Sequence, residues 1–292
     1  MMRVAFAAAV GVGLAGPALA VDPRTIDWSK VPVKSLTLFY PGVSTSDWLV
    51  GKAHAGAKAV AEGQACRSCH EGSEKARGDK IAKGGDLEPT PIPNKIGAID
   101  LSVQAAHDAE YLYLRFQWNT QLKREGRMHD YVRFDGKQWK WYGHDRNDKS
   151  VRSGEQPALY EDRFAIMLDD GKVPRFAQHG CWVTCHNGMR DTRDTAPKEA
   201  VKQHPIFGDA GWKEDEIRKY LASTRTDAAA SWDKTKSKEE IAQIKAAGGF
   251  LDLMQWRVNR SAAIGMADDG YVLESRLTDA GKNVFSWNLD RK

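Results

Sequence analysis

The stretch Leu112-Tyr113-Leu114-Arg115-Phe116-Gln117-Trp118 changes character at every residue. Leu112, Leu114, Phe116 and Trp118 share one face, and Tyr113, Arg115 and Gln117 share the other. A period of two is the signature of a β-strand with one face toward a core. Just upstream, Ile99, Leu101, Val103 and Ala105 follow the same rule, and Ala109-Glu110 lies in the connection. The two runs therefore predict a hairpin.

Working outward, the same pattern recurs. Tyr131-Val132-Arg133-Phe134 and Gln138-Trp139-Lys140-Trp141-Tyr142 flank Asp135-Gly136, a strong hairpin turn signal. Phe164, Ile166 and Leu168 predict another strand, with Asp170-Gly171 after it. Residues 250–258 and 270–276 predict two more. Many short strands separated by turn signals predict a mainly β fold, an antiparallel β-sandwich. The remaining stretches add an N-terminal helical and loop segment and a helical insertion. Pro23, Pro32 and Pro41 make residues 21–45 read as irregular. Ser46 reads as the N-cap of a helix beginning at Asp47, with Trp48, Leu49, Ala53, Ala57 and Val60 at helical spacing. Residues 71–96, rich in glycine, proline and charge, read as loop. In the insertion at residues 187–249, Trp212, Glu216, Ile217, Tyr220 and Leu221 suit one amphipathic helix, and a capping box of Ser237 and Glu240 opens a second. The divisions expected are a signal peptide over 1–20, an N-terminal segment over 21–96, and the sandwich with its insertion over 97–292.

Chemistry enters through the cysteines. Cys66-Arg67-Ser68-Cys69-His70 has two thiols three positions apart and an imidazole directly after the second. That is the spacing of a c-type haem attachment site. Each thiol can form a thioether to a haem vinyl, and the histidine is then held as the proximal iron ligand. Cys181-Trp182-Val183-Thr184-Cys185-His186 is a looser copy with one more residue between the thiols. The two motifs use all four cysteines of the chain. Disulfides need no histidine after the second cysteine, and each cluster has only three donors for zinc. The expected cofactors are two covalently bound haems c, with His70 and His186 as proximal ligands.

His54, twelve residues before Cys66, is the expected distal ligand of haem 1.

Arg3, the apolar run 4–14 and Ala18-Leu19-Ala20 read as a cleaved secretory signal, which predicts a periplasmic protein. The apolar run is too short to span a bilayer, and no span is expected in the mature chain. A formal charge of +4 over 292 residues, without a lysine-arginine cluster, gives no footprint for nucleic acid. The ten tryptophans and eight tyrosines can wall haem pockets or fill a β-core.

The runs Val103-Gln104-Ala105-Ala106-His107-Asp108-Ala109-Glu110-Tyr111-Leu112-Tyr113-Leu114, Glu161-Asp162-Arg163-Phe164-Ala165-Ile166-Met167 and Asp252-Leu253-Met254-Gln255-Trp256-Arg257 resemble a known family. It is the haem-binding domain of the ethylbenzene dehydrogenase gamma-subunit type, also described as cytochrome c-552/dimethyl sulfoxide reductase-like. The resemblance spans residues 97–276. It implies a β-sandwich that holds a haem and passes electrons to or from a periplasmic molybdenum enzyme. Members with non-covalent haem b use a methionine and a lysine as axial ligands. Here the region matching that methionine holds Cys181 to His186, and the strand matching the lysine reads Met254-Gln255-Trp256-Arg257. Arginine has no lone pair to offer iron. The resemblance therefore leaves the distal ligand of haem 2 to other residues: Met254, which lies on that strand, then His107 and His129, followed by Met189.

The function expected is electron transfer by a dihaem cytochrome c. Its partner is a redox protein, a molybdopterin oxidoreductase or a quinol-linked cytochrome. The competing reading is a haem enzyme with an open iron site, a peroxidase or small-molecule reductase. No catalytic acid-base set is expected for the carrier.

Overall fold

The computed structural model describes residues 22–279 except 93–94, 120–130, 143–152, 154–161, 187–195, 209–216, 228–229, 259–260 and 263–264. The signal sequence expected over 1–20 lies outside the described residues. The fold is mainly β. A three-stranded antiparallel sheet holds β1 (Lys34–Phe39), β2 (Ala98–His107) and β3 (Leu112–Trp118) in that order. A short hairpin pairs β4 (Tyr131–Phe134) with β5 (Trp139–Tyr142) across the Asp135-Gly136 turn. The four-stranded sheet runs β11-β10-β9-β6, from β6 (Arg163–Leu168), β9 (Leu251–Arg257), β10 (Asp268–Val272) and β11 (Arg276–Thr278). A two-stranded ladder pairs β7 (Thr184–His186) with β8 (Arg218–Leu221).

The hairpin read in the sequence is present, although near its turn the burial is inverted, with Leu112 58% exposed and Tyr113 buried. The β2–β3 hairpin runs from Leu101 opposite Trp118 to His107 opposite Leu112. Phe116 and Trp118 meet Phe164 of β6, at ring-centroid distances of 4.5 and 5.4 Å, and Trp118 meets Trp256 edge-on at 5.8 Å. These aromatic pairs join the two larger sheets along the face carrying Phe164 and Trp256. The opposite face of the four-stranded sheet sends Leu251 and Leu253 into the main core, together with Phe207, Ile217, Tyr220, Leu221 and Val272. α6 (Lys198–Gln203) contributes Val201 to that core and α7 (Lys238–Ala246) contributes Ile241. The expected capping box is present on α7, with Ser237 accepting from the Glu240 backbone and Glu240 accepting from the Ser237 backbone.

Four readings of the sequence need correction. The irregular segment 21–45 contains β1, whose Lys34 to Phe39 pair antiparallel with Val103 to Ala98. The three prolines flank this strand and leave its backbone donors intact. The helix expected from Asp47 is two short ones, α1 (Ser46–Val50) and α2 (Ala57–Ala61). Its cap is Thr45, one residue before Ser46, whose hydroxyl accepts from the Trp48 backbone at 3.2 Å. Gly51 ends α1 and Gly56 precedes α2, so the chain turns between them and His54 sits in that turn. The stretch 71–96 is not all loop, since α4 (Glu74–Ala82) follows α3 (Arg67–His70). A Cβ on Gly78 of α4 would overlap the backbone of Gly97, and one on Gly97 would overlap Gly78. Two glycines thus let this charged helix lie backbone to backbone on the sheet. Finally, the helix expected around Tyr220 and Leu221 is β8. Register with β7 and burial of both side chains outweigh the weak helical spacing there.

Candidate haem-binding site

The first motif is built on three short helices. Cys66 precedes α3, which carries Cys69 and His70 on one turn. None of Cys66, Cys69 and Cys181 is in a disulfide. The turn between α1 and α2 brings His54 over this segment. The His54 and His70 rings lie 6.2 Å apart, with their planes inclined by 30°. Trp48 covers His54 at 4.9 Å, and Phe39 of β1 meets His70 edge-on at 5.9 Å.

His54 Nδ1 lies 2.7 Å from the Leu49 carbonyl oxygen. A carbonyl only accepts, so Nδ1 carries a hydrogen, and in the neutral ring the lone pair is then on Nε2. A backbone carbonyl behind the ring is the usual way a ligating histidine is oriented. A Cβ on Gly56 would approach the His54 Cε1 and Nε2 atoms to 3.1 and 3.3 Å, so glycine leaves the space beside the free nitrogen open. His70 has a buried Nδ1 without a hydrogen-bond partner among the described residues. Burial lowers its pKa, and the Arg77 and His54 charges lower it further, which favours the neutral ligand form.

These residues fit a haem. Imidazole nitrogens bind metal ions at about 2 Å, so two rings facing one another across one metal ion have centres about 6 Å apart. The separation of His54 and His70 meets that requirement directly beside the two thiols.

The second motif is organised differently. Phe176–His179 forms a helical turn, α5, and residues 180–183 a 3-10 turn leading into β7. Cys185 pairs with Tyr220 and His186 with Arg218, with a bulge between them. Lys219 is the extra residue of that bulge on β8, with φ +54°. Burial lowers the pKa of its ammonium group; the Cys181 thiolate opposes the shift and Arg276 adds to it. Lys219 was not legible in the sequence as a neighbour of this motif, because the strand that places it there was read as helix.

The two motifs are brought together. Cys66 Sγ lies 4.0 Å from the Gln178 carbonyl oxygen. Burial raises the Cys66 pKa, and like-charge repulsion from Cys181 and Cys69 adds to it. His179 is buried, 7% exposed, and its Nε2 hydrogen bonds the Val60 carbonyl at 3.0 Å. Sequence reasoning missed His179, since it belongs to neither motif.

The candidates for haem 2 are scattered. Met254 opposes Ile166 and Asp269 on the sheet face shared with Phe164 and Trp256, whereas Val183 of the motif packs against the core on the opposite face. His107 is exposed at the end of β2, with Nδ1 3.2 Å from the Asp108 carbonyl. His129 and Met189 lie outside the described residues. Arg257 is held in a buried ion pair with Asp268. His204 uses both nitrogens, donating from Nε2 to the Asp233 carbonyl and accepting at Nδ1 from the Ile206 backbone.

With this geometry in hand, the comparisons with known proteins decide the family. The model of the ethylbenzene dehydrogenase family matches residues 25–292. The chain belongs to that family. It is 31% identical to cytochrome c-552 of Stutzerimonas stutzeri over 287 residues, which cover 97% of this chain and 75% of that protein. It is also 31% identical to cytochrome c-551 of Rhodocyclus tenuis over 166 residues, 56% of each chain. No solved structure matches it. Among the described residues of this family member, no helix is long and apolar enough to cross a membrane.

Proposed function

We propose that this protein is a periplasmic dihaem c-type cytochrome that carries electrons to or from a respiratory oxidoreductase. Cys66 and Cys69 hold one haem with His70 as proximal and His54 as distal ligand, and Cys181, Cys185 and His186 hold the other. The N-terminal segment to about residue 96 serves the first centre and the remainder the second. The observation that carries the reading is the facing pair His54 and His70, 6.2 Å apart beside a Cys-x-x-Cys-His motif.

A bound haem supplies a one-electron ferrous–ferric couple, and the protein tunes it through ligand identity, burial and hydrogen bonding. The chain's own residues do the rest at the first centre. The Leu49 carbonyl holds the His54 tautomer, Trp48 and Phe39 shield the two rings, and burial disfavours the charged form of His70. Two histidine ligands leave no open position for a substrate, which favours a carrier over a peroxidase at this centre. The family membership and the cytochromes c among its relatives support the same reading. The partner proposed is a molybdopterin oxidoreductase or a quinol-linked cytochrome.

The test is a pyridine haemochrome assay with the intact mass of the exported protein. Two haems per chain, both low-spin, are expected. A colourless product overturns the reading, a single haem overturns the second centre, and a high-spin haem that binds cyanide replaces the carrier with an enzyme.

A further inference from the structure

The shoulder of the second motif, residues 176–181, docks on the helical turns that hold the first. Two independent contacts join them. The Cys66 thiol approaches the Gln178 carbonyl at 4.0 Å across 112 residues of chain, and His179 donates from Nε2 to the Val60 carbonyl at 3.0 Å across 119. Val60 lies on α2, directly after the His54 turn. His179 is buried, so its ring sits inside this joint and not at its rim.

Nothing in either motif requires this. Two haem segments more than a hundred residues apart can sit at opposite ends of a chain this long. We propose that they form one joint, with His179 as its positioning residue, so that the two haems are close neighbours whose redox states act on one another. This inference rests on the dihaem reading above.

Two consequences follow. Tunnelling falls off exponentially with distance, so adjoining centres exchange an electron faster than the same centres placed at opposite ends of the chain would. The exchange moves one electron, oxidising one centre and reducing its neighbour, with no bond made or broken. In addition, an electron on one centre repels the arrival of a second nearby, more strongly in a buried, low-dielectric setting. The pair then accepts its two electrons in separate steps. Such a protein matches a partner that works in two-electron turnovers to single-electron carriers.

The experiment uses the mature holoprotein, the single-haem variant Cys181→Ala/Cys185→Ala, and His179→Leu with His179→Gln as its conservative counterpart. Haem content comes first. One haem per chain in the wild type sinks the dihaem reading itself, whereas two haems allow the joint to be judged by itself. In the oxidised wild type, the electron paramagnetic resonance signal of haem 1 should be broadened, with at least half its intensity lost relative to the single-haem variant. In potentiometric titration, reduction of one haem should displace the reduction equilibrium of the other about tenfold, equivalent to about 59 mV for a one-electron centre. His179→Leu should shrink that displacement while keeping both haems, and His179→Gln, which can still donate to the Val60 carbonyl, should restore it. A haem 1 resonance signal and a haem 1 midpoint that are the same in the wild type and in the single-haem variant overturn the proposal. If His179→Leu does not mature, that comparison of wild type with single-haem variant decides, because a non-interacting centre titrates identically with or without its neighbour.

Discussion

His54 donates its Nδ1 hydrogen to the Leu49 carbonyl at 2.7 Å, which commits the ring to presenting Nε2 on its other side. Replacing His54 by alanine removes that nitrogen and leaves the thiols and His70 untouched. His54→Ala should therefore retain haem 1 but convert it from low-spin to high-spin, readable in the visible spectrum. A variant that keeps an unchanged low-spin spectrum at both haems would show that another side chain serves as the ligand.

Gly56 tests the same site without touching a ligand. A Cβ there meets His54 Nε2 at 3.3 Å, closer than side chains ordinarily tolerate. Gly56→Val should weaken the distal bond and lower the fraction of low-spin haem, with Cys66, Cys69 and His70 still holding the group. Equal thermal stability of the two proteins measured by far-ultraviolet circular dichroism would separate this local crowding from unfolding.

The ion pair of Arg257 and Asp268 joins β9 to β10, with an Nε–Oδ2 distance of 2.9 Å and side-chain exposures of 7% and 11%. Breaking such a pair from one side leaves a charge buried without its partner, at a cost of about 3–5 kcal/mol. Asp268→Ala should destabilise the protein by that order in urea unfolding. The double variant Arg257→Met/Asp268→Leu should recover most of the loss, because an apolar pair has no charge to strand.

Glu274 gives a pH dependence. Burial raises its carboxyl pKa, while its backbone hydrogen bond and the Arg225 and Lys245 charges oppose the rise. A carboxyl whose folded pKa lies above its unfolded value penalises the fold once ionised, and the penalty is relieved as pH falls through the folded pKa. Glu274→Gln should raise the melting temperature at pH 8. The gain should shrink through the mildly acid range and vanish below the ordinary carboxylate range. A gain that persists there would point to packing and not to charge.

At the start of α7 the Ser237 hydroxyl accepts from the Glu240 backbone at 3.2 Å, and the Glu240 carboxylate accepts from the Ser237 backbone at 2.9 Å. Ser237→Ala removes one of these bonds and should cost about 1 kcal/mol in urea unfolding. An unchanged unfolding midpoint would mean that packing of Ile241 alone holds the helix in place.

Much of the fold was legible because its signals are local. The alternation over Leu112 to Trp118 demands a strand whatever surrounds it, and Asp135-Gly136 closes a hairpin by its own dihedral preferences. The capping box at Ser237 is likewise complete within four residues. The failures are those in which context overrides a local preference. Tyr220 and Leu221 are strand residues because β7 offers them a ladder and the core takes their side chains. β1 exists because β2, distant in sequence, pairs with it from Lys34 opposite Val103 to Phe39 opposite Ala98.

The site divides along the same line. The proposed haem attachment rests on motifs that are legible in the sequence, because thioether formation and proximal ligation need only five or six consecutive residues and no folding to bring them together. Which imidazole faces His70, and that Cys66, Gln178, His179 and Val60 meet, are relations across turns and across more than a hundred residues. A sequence holds its covalent chemistry in its spacing. The distance between two parts of the chain is set by the packing of everything between them, and only the tertiary structure contains it.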